Sequence, residues 1–484
     1  MISALPFCRL DRHSTETLRG TADRAFSRAA GAPLVSGNRV RLLQDATENY
    51  PAWLDAIAAA RRHIHLESFF LREDATGREF ARALMQKARE GVQVRLLCDW
   101  LGVAGKTSEH FWSLLRLADI DVRLFNPPRP DSPLGWLSRD HRKVLTVDSR
   151  VGFISGLCIA QAWKGIPEKN IAPWRDTGVE VRGPAVWDIE QAFAHVWSMT
   201  GGPIPEDTLS APDAPDPDGV DLRIVASVPA TAGLFRLDQL VAALARKRLW
   251  LTDAYYAGTT VYAESLKAAA RDGVDVRLLV PGASDLPLLK PLSRAGYRPL
   301  IEAGIRIFEW NGSMLHAKTA VADGHWARVG STNLNFASWF GNCEMDVVIE
   351  NDAFASQMEA LYLRDMQNAT ELVLDVRHRI RAPEKTGGPP PSASGGSGSV
   401  GRVAAGAVRI GRTVGSAFTS RQVLEPAEAR LAALIGGLLL LLALLIAFFP
   451  RALAWGLAAL LAWFGGTLLY KSFRLFGRKR NNKT

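Results

Sequence analysis

One series of landmarks occurs twice in this chain, in the same order. The run ARRHIHLESFF, Ala60 to Phe70, resembles ARKRLWLTDAYY, Ala245 to Tyr256, with one inserted residue. AREGVQVRLLCD, Ala88 to Asp99, is matched by ARDGVDVRLLVP, Ala270 to Pro281; each reads as a helix end, a glycine stop and an alternating strand. DIDVRLFN is matched by AGIRIFEW, and HRKVLTVD by HAKTAVAD. WRDTGVEV, Trp174 to Val181, is matched by NCEMDVVI, Asn342 to Ile349. Chance rarely keeps order over so many segments, so the chain reads as two copies of one unit.

Within each copy, strands alternate with amphipathic helical runs such as FARALMQKARE and YAESLKAAARD. That alternation predicts an α/β unit, a sheet flanked by helices. Two such units are expected to pack as an intramolecular pseudo-dimer with a shared site at their interface. Polar, Pro/Gly-rich segments without periodicity punctuate the chain at Thr200 to Gly219 and at Arg381 to Gly401. The expected organisation is an N-terminal arm over 1–35, a first domain over 36–199, a linker over 200–220 and a second domain over 221–380. A flexible basic linker over 381–430, an apolar hairpin over 431–470 and a basic tail over 471–484 complete it.

The hairpin is expected from LAALIGGLLLLLALLIAFF, Leu431 to Phe449, and ALAWGLAALLAWFGGTLLY, Ala452 to Tyr470, both uncharged. Each run is long enough to cross a hydrocarbon core of ~30 Å at about 1.5 Å per residue. Both are apolar on every face, unlike a helix at a protein surface. The turn carries only Arg451, whereas the outer ends carry Arg430, Lys471, Arg474, Arg478, Lys479, Arg480 and Lys483. The positive-inside rule then places both ends, and the globular part, on the cytoplasmic side. The net charge of +9 points to an anionic partner, nucleic acid or a membrane surface, and the hairpin favours the membrane. The cysteines at 8, 98, 158 and 343 form no CxxC, so neither a zinc site nor a disulfide framework is indicated.

The chemistry sits in one repeated motif, His141-x-Lys143-(x)4-Asp148 and His316-x-Lys318-(x)4-Asp323. On a strand, residues i and i+2 share a face, so His and Lys project together while Arg142 or Ala317 points away. Asp148 and Asp323 complete the repeated catalytic motif. They have the opposite parity and precede turn-like residues, which suits a turn-forming or supporting role better than that of reacting acid. Gly330, Ser331 and Asn333 follow the second motif, and Ser155, Gly156 and Cys158 follow the first.

A phosphodiester would be well served by this set. One imidazole can attack phosphorus and hold a covalent intermediate. A second can protonate the leaving alkoxide and then deprotonate the incoming hydroxyl. Two ammonium groups and polar donors stabilise the charge on the non-bridging oxygens, with no metal or other cofactor required. Each imidazole needs an acceptor on its other nitrogen. Asp176 and Glu344, at matched positions after the motifs, are the candidates, and Asp176 is the carboxylate expected to serve His141.

The paired motifs resemble those of the phospholipase D superfamily. The surrounding text, RDHRKVLTVDSRVGFISG, WRDTGVEVRGPAV and LHAKTAVADGHWARVGSTNLN, resembles bacterial cardiolipin synthases within it. The resemblance covers Val35 to Leu374. It implies two phospholipase D-like domains and metal-independent phosphatidyl transfer between two phosphatidylglycerol molecules, releasing glycerol. It also implies His141 as nucleophile, His316 as acid/base, and Lys143, Lys318, Ser331 and Asn333 as phosphate-binding groups. Phosphatidylglycerol and other anionic lipids at a bacterial inner membrane are the implied partners, and no nucleic acid is expected. Alternatives within the superfamily are a phospholipase D hydrolase, transfer from phosphatidylethanolamine, and a nucleic-acid phosphodiesterase; a non-catalytic membrane scaffold is the reading outside it. The sequence departs from the family at Ser155-Gly156-Leu157-Cys158, where Gly-Gly-x-Asn is usual and where Cys is a poor substitute for an amide donor.

Overall fold

The computed structural model describes residues 23–128, 137–205, 208–283, 294, 296–374 and 380–381, with isolated positions between 440 and 466. Most of the arm, the basic linker, the apolar hairpin and the tail lie outside the described residues. Among the described residues no helix is long and apolar enough to cross a membrane.

The first half supplies β1 (Val35–Gln44), β2 (His63–Ser68), β3 (Gln93–Asp99), β4 (Asp121–Phe125), β5 (Lys143–Val147), β6 (Val151–Ser155) and β7 (Thr177–Arg182). The second supplies β8 (Val220–Ser227), β9 (Arg248–Thr252), β10 (Asp275–Pro281), β11 (Arg306–Trp310), β12 (Thr319–Ala322), β13 (Trp326–Gly330) and β14 (Glu344–Glu350). It adds β15 (Ala369–Leu374) and β16 (Ile380–Arg381).

Instead of two separate sheets, all of these strands join into one 16-stranded sheet, ordered β16-β15-β11-β10-β9-β12-β13-β14-β8-β1-β7-β6-β5-β2-β3-β4. The order is a near mirror about the β8–β1 seam, so β7 matches β14, β6 matches β13, β5 matches β12, and β2 matches β9. The seam forms because β1 pairs antiparallel with both β7 and β8, with Val35 opposite Leu222. In each half the motif strand runs antiparallel to the strand that opens the βαβ run, β5 on β2 and β12 on β9.

Local chemistry explains the flanking helices. Asp74 caps the helix Ala75–Arg89 by accepting from the Gly77 amide at 3.0 Å, and Thr259 caps Thr260–Arg271 through the Tyr262 amide. Phe80, Ala81, Leu84 and Ala88 line the buried face of the first. Burying Phe80 or Leu84 contributes about 2 kcal/mol each. Gly91 and Gly273 end these helices at φ of 87° and 90°, a region favourable only to glycine.

Between the halves, Val144, Ile154 and Val179 share one apolar core with Val329, Val347 and Ile349. The residues before the motif histidines cross this boundary. Asp140 bridges Cys343, and Arg175 bridges Leu315. The His141 amide donates to the Cys343 carbonyl at 2.9 Å, and the His316 amide to the Arg175 carbonyl at 2.7 Å.

Candidate active site

These backbone bridges decide which carboxylate meets which histidine. The motif segment of each half lies against the segment that leads into the other half's acidic residue. His316 Nδ1 therefore sits 2.8 Å from Asp176 Oδ2, and His141 Nδ1 sits 3.0 Å from Glu344 Oε2. The expectation that Asp176 serves His141 is corrected: the pairs are crossed, and each imidazole is oriented by a carboxylate from the opposite half. Sequence matching finds both carboxylates but carries no information on which half each one faces.

Both carboxylates are themselves held. Trp163 Nε1 and the Thr177 amide donate to Asp176 at 2.9 and 2.8 Å. The Ser331 hydroxyl donates to Glu344 Oε2 at 2.6 Å, and Asn342 Nδ2 to Oε1 at 3.3 Å. Burial alone would raise both acids, but the facing imidazoles and lysines outweigh it and hold each below its ordinary range.

Burial pushes His141 down to about 4, against the pull of Glu344 and with the help of Lys143. Burial and the Lys318 charge push His316 down to about 3. At neutral pH without lipid, both imidazoles are uncharged, as a nucleophile or a base must be. The Lys318 ammonium lies 3.0 Å from His316 Nδ1 and donates to the His316 carbonyl; Lys143 donates to the His141 carbonyl in the same way. Burial lowers both lysines, Lys318 to about 8. His141 feels the Lys318 charge, and His316 and Lys318 feel that of Lys143, so the four groups lie in one electrostatic centre.

Aromatic rings wall this centre. Phe69 lies 5.2 Å from the His141 ring, edge to face. Trp163, Trp174 and Tyr255 lie 5.3, 5.7 and 6.0 Å from His316. They exclude water from the reacting groups and strengthen the electrostatics there.

The comparisons with known proteins agree with this geometry. A family model described as "Cardiolipin synthase, PLD-like domain" matches residues 53–170 and again 241–366, one match on each half. The chain belongs to the phospholipase D-like cardiolipin synthase family. Cardiolipin synthase A of Pseudomonas aeruginosa is 32% identical over 374 residues, covering 75% of this chain and 74% of that protein. A cardiolipin synthase of Halalkalibacterium halodurans is 30% identical over 360 residues, covering 72% of this chain and 70% of that one. The fold is shared with phosphatidylserine synthase of Haemophilus influenzae, at a TM-score of 0.58 and 13% identity, covering 73% of this chain and 92% of that one.

Against the family's motif, the structure moves several residues to other tasks. Asp148 and Asp323 stand at the far ends of β5 and β12, in left-handed conformations at φ of 56° and 52°. The Asp148 carboxylate accepts from the backbone amides of Arg61, Arg62 and His63 at 2.8 to 2.9 Å. Asp323 accepts identically from Arg246, Lys247 and Arg248. Their grouping with the catalytic residues is therefore corrected: they pin the start of the neighbouring strand, and their oxygens are spent on amides.

Ser331 is likewise committed, donating to Glu344 and accepting from the Met345 amide at 2.9 Å. It braces a carboxylate rather than offering a free phosphate donor. Asn333 is buried, with its acceptor Oδ1 lacking a partner; only its amide nitrogen could donate to a phosphate. Its counterpart Cys158 is buried, its thiol pushed up by burial and so uncharged at neutral pH. Gly156 serves the first half by being small: a Cβ there would stand 2.1 Å from Asp176 Oδ1.

Among the described residues, His63, His65 and Glu190 form the cluster that resembles a metal site. His63 Nε2 lies 2.8 Å from Glu190 Oε1, and the Ser149 hydroxyl donates to Oε2 at 2.5 Å. Arg95 Nη1 lies 3.1 Å from His65 Nε2. Arginine only donates, so His65 must carry its proton on Nδ1, the atom that faces Glu190 and would have to bind the metal. The set fits a buried hydrogen-bonded cluster and does not fit a metal. In the second half, Arg248, the counterpart of His63, pairs instead with Glu359 at 2.9 Å.

Proposed function

We propose that this cardiolipin synthase moves the phosphatidyl group of one phosphatidylglycerol to the terminal hydroxyl of a second through a covalent phosphatidyl-histidine on His141. The observation that supports it is the crossed arrangement: two imidazoles, each oriented by a carboxylate of the other half, beside two buried lysines. His141 is the more open of the two, its side chain 12% exposed against 7% for His316. Glu344 fixes the His141 proton on Nδ1, leaving Nε2 as the attacking lone pair.

In the first step His141 Nε2 bonds to phosphorus and the bond from phosphorus to the glycerol oxygen breaks. His316 gives its proton to that oxygen. His316 must therefore arrive protonated, which the anionic lipid phosphate favours by supplying a negative charge where burial and the Lys318 charge otherwise hold the ring neutral. Lys143 and Lys318 stabilise the charge gathering on the non-bridging oxygens. In the second step the incoming hydroxyl passes its proton to His316, its oxygen bonds to phosphorus, and the bond from phosphorus to His141 breaks. The apolar runs over 431–470 would anchor the enzyme in the membrane, with the α/β body on the cytoplasmic side.

Purified full-length protein in phosphatidylglycerol vesicles is expected to release glycerol and form cardiolipin, and His141→Ala to abolish both. Radiolabelled donor should trap as phosphohistidine in wild type and not in His141→Ala. Phosphatidic acid as sole product would make the chain a hydrolase, and a label retained in His141→Ala would overturn the choice of nucleophile.

A further inference from the structure

A transferase joining two anionic lipids must hold two phosphates at once, one reacting and one belonging to the acceptor. The four motif residues account for the first. The place for the second follows from the cations behind the aromatic wall.

The segment after β2 carries Phe69, Phe70, Leu71 and Arg72 along the rim of the site. It is pinned to the loop holding Cys158: the Arg72 amide donates to the Ile159 carbonyl at 3.0 Å, and Leu71 bridges Ile159. The loop after β3 docks on the same segment through the Thr107 hydroxyl, which donates to the Leu71 carbonyl at 2.6 Å. The Ser108 amide adds a bond to Glu73 at 3.1 Å. These anchors bring two cations to one ring. Arg72 Cζ lies 5.4 Å, and Lys106 Nζ 5.5 Å, from the Phe70 centroid. Arg72 Nε is shielded from solvent and has no hydrogen-bond partner.

Phe70 contacts Trp163 at 5.8 Å, which contacts His316 at 5.3 Å. It also contacts Phe69 at 6.0 Å, which contacts His141 at 5.2 Å. The cation pair is thus linked to each imidazole through two rings, Phe70 and then Trp163 or Phe69. The matched segment of the second half reads Tyr256, Ala257, Gly258 and Thr259, with no base. Arg72 thus has no basic counterpart after β9, which suits a reaction whose two lipids have different roles.

We propose that Arg72 and Lys106, seated over Phe70, form an anion subsite for the phosphodiester of the acceptor lipid, distinct from the Lys143–Lys318 site of the transferred phosphate. The inference rests on the transfer reading above. The subsite orients the acceptor hydroxyl toward the phosphatidyl-histidine; a neutral alcohol makes no use of it.

The test supplies full-length enzyme in phosphatidylglycerol vesicles with labelled free glycerol, and measures two products. Labelled phosphatidylglycerol reports transfer to a neutral acceptor, and cardiolipin reports transfer to an anionic one. Arg72→Gln and Lys106→Gln should each lower the ratio of cardiolipin to labelled phosphatidylglycerol about tenfold, the scale of one charged hydrogen bond. The double variant should lower it further, and Arg72→Lys with Lys106→Arg should restore it. A fall of both products in step, or an unchanged ratio in the double variant, overturns the subsite. Wild-type enzyme that forms neither product overturns the transfer reading itself, a result distinguishable from the first two.

Discussion

The crossed pairing makes a demand that uncrossed pairing would not. Glu344→Gln keeps one side-chain oxygen that can accept from His141 Nδ1 at the 3.0 Å of the native bond, while its amide nitrogen replaces one of the two oxygens that take bonds from Ser331 and Asn342. Shape survives and charge does not. At a charge-centre separation of about 4 Å, in a buried site of effective dielectric near 20, a carboxylate stabilises a cationic imidazole by about 4 kcal/mol. In the proposed mechanism the bond from His141 to phosphorus leaves such a cationic ring, so the rate should fall by about 10³-fold. The assay is cardiolipin formation from phosphatidylglycerol, paired with histidine titration by NMR. In Glu344→Gln the His141 midpoint should drop below its native value of about 4, because the group that raises it is gone, while His316 stays in place. Asp176→Asn should do the reverse, lowering His316. If Asp176→Asn moved His141 and left His316 alone, the crossed geometry would be wrong.

Other expectations follow from the same contacts. Asp148→Ala removes the acceptor of three backbone amides and should cost about 2–4 kcal/mol of stability in denaturant unfolding. Activity per folded molecule should stay within a few-fold; loss of activity at unchanged stability would return Asp148 to the catalytic set. Gly156→Ala drives a methyl against Asp176 at 2.1 Å, and a carboxylate displaced by even ~1 Å should lower kcat about 10²-fold, read in the same lipid assay. Stability should also depend on pH. Both histidines are depressed on folding, to about 4 and about 3, so the unfolded chain takes up protons first on acidification. The contribution of the neutral imidazoles is complete above pH ~6.5 and is lost as pH falls toward the folded values. His141→Gln/His316→Gln should flatten the urea midpoint against pH between 6 and 4, and an unchanged slope would refute the assignment.

Much of the fold was legible because the repeat is carried by short-range signals. Glycine stops, capping residues and period-two strands lie within a dozen residues of one another, and both copies show them. The paired His-x-Lys motif was legible for the same reason, since strand alternation alone puts the two side chains on one face. The β1–β8 seam was not, because edge pairing between distant strands leaves no local mark beyond the alternation common to every strand. The crossing of Asp176 and Glu344 was hidden more deeply. Each is matched in sequence to its own half, and only the bridges from Asp140 to Cys343 and from Arg175 to Leu315 reveal the exchange. Ser331 was read as a phosphate ligand because a hydroxyl after a motif strand suits that task; its use by Glu344 depends on a strand neighbour that the sequence does not name.

The seam between β1 and β8 changes what a substitution can mean. In a symmetric pair of identical chains, any residue change at the shared site is made twice, once on the nucleophile's side and once on the acid's. Here both sides are written once each in a single polypeptide, so they are free to drift apart. Cys158 in the place of Asn333, Gly156 in the place of Ser331, and the His63–His65–Glu190 cluster where the second half has an Arg248–Glu359 pair are that drift already under way. A covalently closed dyad can keep the symmetric frame its chemistry needs while letting donor and acceptor lipids evolve separate handholds.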